Sequence, residues 1–265
     1  MPYLTTKGVR TYYEVYGEGP PMVMLHCNPF DHWVFLYQIA HFSTWFRVIA
    51  PDLRGYGRTD KVATPYGLTA LLDDVLGVIE AEKAQGAILM GVSIGAVLTL
   101  RLGHDRPDLF KALIAVGASS PAKDRGPNDP RVKAYTTQDF KSVYRDHMET
   151  TVSKGFVATP RGRYLLDAFE ERSSRMTANG IVRLLQARAP ENLLPLLPNI
   201  RRPLLVINGE HDSAFEGGKQ TAALVPGAER RVLPDTGHAC CIEDPAGFDA
   251  FVLEFLAARG LLPNL

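Results

Sequence analysis

Ser93 lies at the centre of Gly91-Val92-Ser93-Ile94-Gly95, where an apolar, strand-like run (Gly86-Ala-Ile-Leu-Met90) gives way to a run with helical spacing (Ala96-Val-Leu-Thr-Leu-Arg-Leu102). A strand-to-helix turn this tight forces the serine backbone into a strained conformation. Side chains at the flanking positions would collide where helix meets strand, which is the reason for the two glycines. A hydroxyl held clear of a strand tip in this way is a candidate nucleophile. Without the strand before it and the helix after it, the same five residues would read as an ordinary glycine-rich turn.

A neutral hydroxyl attacks poorly, so Ser93 needs a base within hydrogen-bond reach and a group that fixes the tautomer of that base. Two downstream loops carry suitable side chains. Gly209-Glu-His-Asp212 follows the apolar run Pro203-Leu-Leu-Val-Ile-Asn208, and Asp235-Thr-Gly-His238 follows the strand-like Arg230-Arg-Val-Leu233. Asp212 and His238 are therefore both expected in loops just past strand carboxyl ends, the edge at which open α/β sheets bind ligands. Glu210 and His211 compete for these roles by proximity. His32, His41, His104 and His147 have no partner motif and read as structural or exposed.

The elements that would position these residues alternate. Residues 9–16 and 22–26 read as strands, 68–79 as a helix with apolar positions at helical spacing, and 111–116 as another strand. Strand, helix, strand in repetition predicts a mostly parallel sheet covered on both faces. The pattern breaks between residues 122 and 199, where Pro121, Pro127 and Pro130 interrupt the chain and Pro195 and Pro198 close the segment. Helical patterns recur inside it at 139–148, 164–169 and 181–185. The segment has a small excess of Lys and Arg over Asp and Glu, which reads as a solvated face or, more sharply, as a preference for a mildly anionic substrate.

Five motifs in order carry a resemblance to a known family. They are His26-Cys27-Asn28-Pro29 after a buried strand, Asp52-Leu-Arg-Gly-Tyr-Gly-Arg-Thr-Asp60, the serine turn, Gly209-Glu-His-Asp212, and the His238 loop followed by Glu243-Asp244-Pro245. Through them the chain resembles the α/β-hydrolase superfamily, in its serine esterase, enol-lactonase and haloperoxidase-like branch, over nearly its whole length. The resemblance implies an eight-stranded, mostly parallel twisted sheet formed by residues 1–121 and 200–265, with a small helical cap, 122–199, inserted after the sixth strand. It selects Asp212 as the acid of a Ser93, Asp212, His238 triad, because the family's acid falls third after the glycine. It also implies an oxyanion hole built from the backbone N–H groups of Asn28 and Ile94, with His26 bracing that loop. Asp52, Arg54 and Asp60 are expected to tie down their own loop. Cys27 stands where the family usually has glycine, so the oxyanion loop is expected to be shaped differently here.

The implied chemistry is cleavage of small or medium carboxylic esters, lactones or oligomeric esters through an acyl-enzyme, with no cofactor and no metal. Perhydrolysis and carbon–carbon bond hydrolysis use the same triad and stand as alternatives, as does a non-catalytic receptor on the same fold. Ser93 excludes the aspartate-nucleophile chemistry of dehalogenase relatives, although Asn28-Pro29 resembles their loop. Phe30 and Trp33 near that loop, and Tyr144 and Phe156 in the cap, are the expected substrate-binding residues. Phe140, Tyr164 and Phe169 add further aromatic surface to the cap.

Composition agrees. With 265 residues, 46% of them hydrophobic, the chain can bury one large α/β core. Lys and Arg number 29 and Asp and Glu 29, without a block of like charge, so nothing attracts nucleic acid. The amino-terminal residues lack the apolar run of a signal peptide and no stretch approaches the roughly 18 apolar residues of a membrane span, which predicts a cytoplasmic protein without membrane insertion. Cys27, Cys240 and Cys241 make an odd count that fits reduced thiols rather than a disulfide framework.

Overall fold

Runs with apolar residues at every position cannot be half-exposed, and they become the central strands. The computed structural model describes residues 3–118 and 129–263. Among them eight strands form one sheet: β1 (Tyr3–Thr6), β2 (Val9–Tyr16), β3 (Pro21–Leu25), β4 (Arg47–Pro51), β5 (Ala87–Val92), β6 (Phe110–Val116), β7 (Leu204–Gly209) and β8 (Glu229–Leu233). Their order is β1-β2-β4-β3-β5-β6-β7-β8. β2 runs antiparallel to β1 and β4, and every other pairing is parallel. β5 and β7 are buried throughout. The edge strand β1 carries no apolar run, and half of its positions are exposed. For that reason its sequence gave no strand signal.

Helices flank this sheet. In chain order they begin with α1 (Leu36–Phe42), α2 (Leu68–Ala81) and α3 (Ile94–Asp105). α3 packs on β5 and β6 and buries nearly every residue of its first turns, from Ile94 to Leu100. Between β6 and β7 come α4 (Pro130–Thr137), α5 (Phe140–Glu149), α6 (Lys154–Ala158), α7 (Pro160–Glu171) and α8 (Ala178–Arg188). Each starts on a side-chain oxygen that accepts a first-turn N–H, from Asp129, Asp139, Ser153, Thr159 and Thr177 in turn. Such caps stabilise short helices by about 1 kcal/mol each. Pro130, expected as an interruption, is instead the first residue of α4, where its missing N–H costs nothing. The boundary expected at 121–122, with Pro121 and Pro127, lies outside the described residues. The chain then returns through α9 (Phe215–Leu224), α10 (Cys240–Glu243) and α11 (Pro245–Ala257). Among the described residues no helix is long and apolar enough to cross a membrane.

The loop after β4 is fixed by buried charge. Asp52 accepts hydrogen bonds from the His32 N–H at 3.0 Å and the Arg58 N–H at 2.8 Å, and pairs with the His32 ring at 2.6 Å. The other ring nitrogen of His32 lies 3.3 Å from Glu14, and Arg54 and Asp74 form a fork with both contacts at 2.8 Å. The Arg10 N–H donates to Asp60 at 2.9 Å. His32, which has no partner motif in the sequence, is thus an ion-pair hub. Burial alone would push its pKa down, but Asp52 and Glu14 outweigh that and raise it to about 10. A pKa raised in the folded state gives stabilisation that is complete below about pH 6.5 and is lost as pH rises through about 10. Between about pH 7 and pH 10 the urea midpoint of the wild type should therefore fall more steeply than that of His32→Asn. Parallel profiles would mean that His32 is uncharged in the fold.

Candidate active site

Parallel strands end on the same side, so the loops after β3, β5, β6, β7 and β8 meet at one edge of the sheet. Ser93 is the residue between β5 and α3, with φ 56° and ψ −110°. This is a left-handed conformation that costs a non-glycine residue about 1–3 kcal/mol. Its N–H donates to the Val116 carbonyl at 2.8 Å and its carbonyl accepts from the Val97 N–H at 3.0 Å. A β-carbon on Gly91 would lie 2.2 Å from the Gly95 carbonyl oxygen, and one on Gly95 would lie 2.0 Å from that of Leu25. Both glycines are therefore required by close backbone approach.

Asp212 and His238 come together from the loops after β7 and β8. His238 Nδ1 is 2.7 Å from Asp212 Oδ1. Asp212 Oδ1 also accepts the Ala214 N–H at 2.7 Å, and Oδ2 accepts from Asn208 Nδ2 at 3.0 Å. Burial would raise the Asp212 pKa, but the charge and hydrogen bond of His238, with the bonds from Ala214 and Asn208, hold it below the ordinary carboxylate range. With Nδ1 committed to the carboxylate, Nε2 is the nitrogen able to take a proton. Gly117, after β6, lies flat against this pair, and a β-carbon there would sit 2.7 Å from His238 Cε1 and 3.2 Å from Asp212 Oδ2. The competing residues fall elsewhere: Glu210 accepts the Asp235 N–H at 3.1 Å, and the His211 side chain is 57% exposed.

The loop after β3 is braced by His26. The Leu53 N–H donates to His26 Nε2 at 2.9 Å, so Nδ1 carries the proton and donates to the Cys27 carbonyl at 3.0 Å. Burial lowers the pKa of this ring and keeps it neutral. Asn28 Oδ1 accepts from the Tyr56 hydroxyl at 2.6 Å. Cys27 is fully buried, and burial pushes its thiol up to about 12. Cys240 and Cys241 are likewise buried and free.

Asn28, Ser93, Gly117, Asp212 and His238 all line one cavity of about 770 Å³. Ile94 and Val97 of α3, with Ala214 and Phe215, supply its apolar floor. The opposite wall comes from the helical segment, with Arg131 of α4, His147 of α5 and the following Thr150 and Thr151. Leu184, Leu185 and Arg188 of α8 complete it. Phe30, Trp33, Tyr144 and Phe156 are not among the lining residues. Phe30 and Trp33 pack edge-on against Phe169 with ring centroids 4.7 and 5.3 Å away, and Tyr144 stacks on Phe140 at 5.6 Å. Phe156 is buried beneath the Arg161 guanidinium. These aromatics are consumed in holding the helical segment together and against the sheet, while Tyr164 is 71% exposed to solvent. Sequence reading missed Arg131, His147 and Arg188 because none of them belongs to a motif.

The model of the alpha/beta hydrolase fold family matches residues 20–245. The chain belongs to that family. Among curated relatives, the AB hydrolase superfamily protein YisY of Bacillus subtilis is 27% identical over 264 residues, covering 95% of this chain and 97% of that protein. The enol-lactonase from Burkholderia xenovorans LB400 superposes with a TM-score of 0.87 at 25% identity, covering 97% of this chain and all of that one (100%). Est816, described as an N-acyl homoserine lactone degrading enzyme, superposes with a TM-score of 0.84 at 28% identity, covering 96% and 100%. Membership of the α/β-hydrolase family together with such neighbours supports hydrolase activity.

Two groups among the described residues could geometrically hold a cation. In the first, Asp31, His32 and Asp52, the donor atoms are already used: Asp31 accepts from the Trp33 N–H at 3.0 Å and Arg172 at 2.7 Å, and His32 links Asp52 to Glu14. A metal would have to displace that imidazolium and that guanidinium, so the chemistry of the set does not fit one. The second, Glu210, His211 and Asp235, is exposed on the loops behind Asp212 and His238.

The His238 loop of this α/β-hydrolase is tied to the helical segment by a carboxylate and by bonds to the backbone. Glu243 accepts the Gly237 N–H at 2.7 Å and the Ser153 N–H at 3.0 Å, and the Ala239 N–H donates to the Thr151 carbonyl at 2.7 Å. Arg161 donates to the Glu243 carbonyl. Glu243→Gln keeps the shape but replaces one acceptor with a donor facing a buried N–H, a change costing about 1–3 kcal/mol. The variant should react with a fluorophosphonate probe at Ser93 at least about tenfold more slowly than wild type. Equal reactivity would mean that the position of His238 does not depend on this carboxylate.

Proposed function

We propose that this protein is a serine hydrolase that cleaves carboxylic esters, lactones included, through an acyl-enzyme. The observation that carries the reading is a serine held in a strained turn, facing a cavity shared with a histidine whose Nδ1 is bonded to a buried carboxylate at 2.7 Å. His238 Nε2 takes the Ser93 proton as Oγ attacks the carbonyl carbon, and Asp212 holds the ring and stabilises the imidazolium. The backbone N–H groups of Asn28 and Ile94 donate to the developing oxyanion. Ile94 is the first residue of α3, so its N–H has no acceptor within the helix. Each such donor contributes about 3 kcal/mol to barrier lowering. His238 then returns the proton to the leaving alcohol, and water activated by the same nitrogen releases the acid. The helical segment, residues 122–199, acts as a cap that closes the site over the serine.

The lactone-degrading activity named for Est816 and the enol-lactonase from Burkholderia xenovorans both fall within this chemistry and support it. Ser93→Ala should lower kcat on p-nitrophenyl acetate by about 10⁴-fold or more with an unchanged melting temperature. Hydrolysis within tenfold of wild type would remove Ser93 from the mechanism. Asp212→Asn should lose less than His238→Ala, and the double variant Ser93→Ala/Asp212→Asn should be no slower than Ser93→Ala alone, since the residues act as one unit.

A further inference from the structure

Resting on the serine-hydrolase reading, we propose that the side-chain amide of Asn28 is a third donor to the oxyanion, beside the two backbone N–H groups. Among the described residues whose buried side-chain polar atoms lack a protein partner, Asn28 alone lines the cavity that contains Ser93 and His238. The unpartnered atom is Nδ2, in a residue only 7% exposed. A buried N–H left unpaired lowers stability, so its retention at a reaction site points to an acceptor that arrives with the substrate.

The orientation of the amide is set by Tyr56. The Tyr56 hydroxyl donates to Asn28 Oδ1 at 2.6 Å, and among the described residues that proton has no other acceptor. Burial pushes the Tyr56 pKa well above its ordinary value, so the hydroxyl stays protonated and remains a donor. An amide turned the other way would set Nδ2 against that proton. Oδ1 therefore faces Tyr56, and the N–H bonds of Nδ2 are left for another acceptor. Tyr56 is fixed in its turn. Its N–H donates to the Leu53 carbonyl at 2.9 Å, its carbonyl accepts the Thr59 N–H at 2.9 Å, and its ring packs on His26 with centroids 5.4 Å apart. The donor is thus held before substrate binds, which lets it stabilise developing charge without reorganisation.

The same residue carries a backbone N–H assigned above to the oxyanion, and that group has no backbone acceptor among the described residues. The main-chain and side-chain nitrogens of one asparagine are a short covalent path apart, so a single oxygen can accept from both. An alkoxide formed by attack of Ser93 Oγ has a lone pair to spare after bonding two backbone N–H groups. A neutral ester carbonyl is a weaker acceptor than that alkoxide, so the bond from Nδ2 strengthens as charge develops. An interaction realised mainly in the transition state raises kcat and leaves KM little changed.

Asn28→Leu keeps the backbone N–H and the approximate shape while removing Nδ2, and Asn28→Leu/Tyr56→Phe also removes the hydroxyl that the first substitution leaves unpaired. On p-nitrophenyl acetate both variants of the full chain should lose about 10²-fold in kcat, with KM within about threefold of wild type. The loss should be equal on p-nitrophenyl methoxyacetate. The Ki of trifluoroacetone, whose adduct with Ser93 places an alkoxide at the same position, should rise by a similar factor. The melting temperature of the double variant should equal or exceed that of wild type, because both buried polar partners are gone together. A kcat within about threefold of wild type, a change in KM alone, or a loss confined to the methoxyacetate would overturn the proposal, the last by assigning the amide to an acyl oxygen. So would a double variant that melts well below wild type, since Asn28 would then be a structural residue. Acetate turnover and fluorophosphonate labelling of Ser93 in wild type, with Asn28→Leu equally active, would sink this inference alone. A wild type that shows neither would sink the serine-hydrolase reading with it.

Discussion

Everything at the active edge depends on one backbone constraint, the left-handed turn at Ser93. The turn exists because α3 is pressed onto the tips of β5 and β3 so closely that neither Gly91 nor Gly95 has room for a β-carbon. About 1–3 kcal/mol of strain at the serine is offset by a buried sheet and helix that have no other way to pack. The same approach makes Ile94 the first helical residue, so the Ser93 side chain and an N–H with no acceptor inside the helix are presented together. Strain, glycine spacing and the N–H at the helix start are three aspects of one contact.

Around that turn the structure separates rigid support from the surface that lines the cavity. His26 fixes the loop after β3 to the loop after β4, His32 fixes the latter to β2, and Asn208 holds Asp212 from beneath. Each of these partners is buried and makes at least one hydrogen bond to the group it supports, which is how a side chain keeps its geometry within a fraction of an ångström. Glu243 extends the same scheme across to the helical segment. One carboxylate serves both the residue preceding His238 and the start of α6, so the His238 loop and the wall facing it cannot move independently without leaving a buried N–H unpaired.

The helical segment shows why aromatic residues are poor guides to a binding pocket. Phe30, Trp33 and Tyr144 pack edge-on or stacked against other rings and Phe156 lies beneath the Arg161 guanidinium, so the fold spends these expected binding residues on cohesion. A short helical insertion has little core of its own, so its largest side chains are drawn inward or onto the sheet to supply one. What the segment turns to the cavity is Arg131, His147, Thr150, Thr151 and Arg188, with the aliphatic Leu184 and Leu185.

The sequence by itself determined the parallel sheet, the serine turn and the loops bearing Asp212 and His238. Each is encoded locally: apolar runs too long to be half-buried, glycines at fixed spacing, and polar residues directly after strands. Pro130 and Tyr3–Thr6 escaped this reading, because the proline was read as a breaker although Asp129 before it caps a helix, and a half-exposed edge strand has no distinctive local pattern. Only the tertiary structure decided which residues face the cavity. Arg131, His147 and Arg188 reach it, and Gly117 lies beneath His238, through packing between segments far apart in the chain. The pairing of His32 with Asp52 and Glu14 was likewise hidden, since a buried ion pair depends on which loops the sheet order brings together. Local spacing specifies an element and its face, whereas a wall built from three helices is specified only by the way they settle on the sheet.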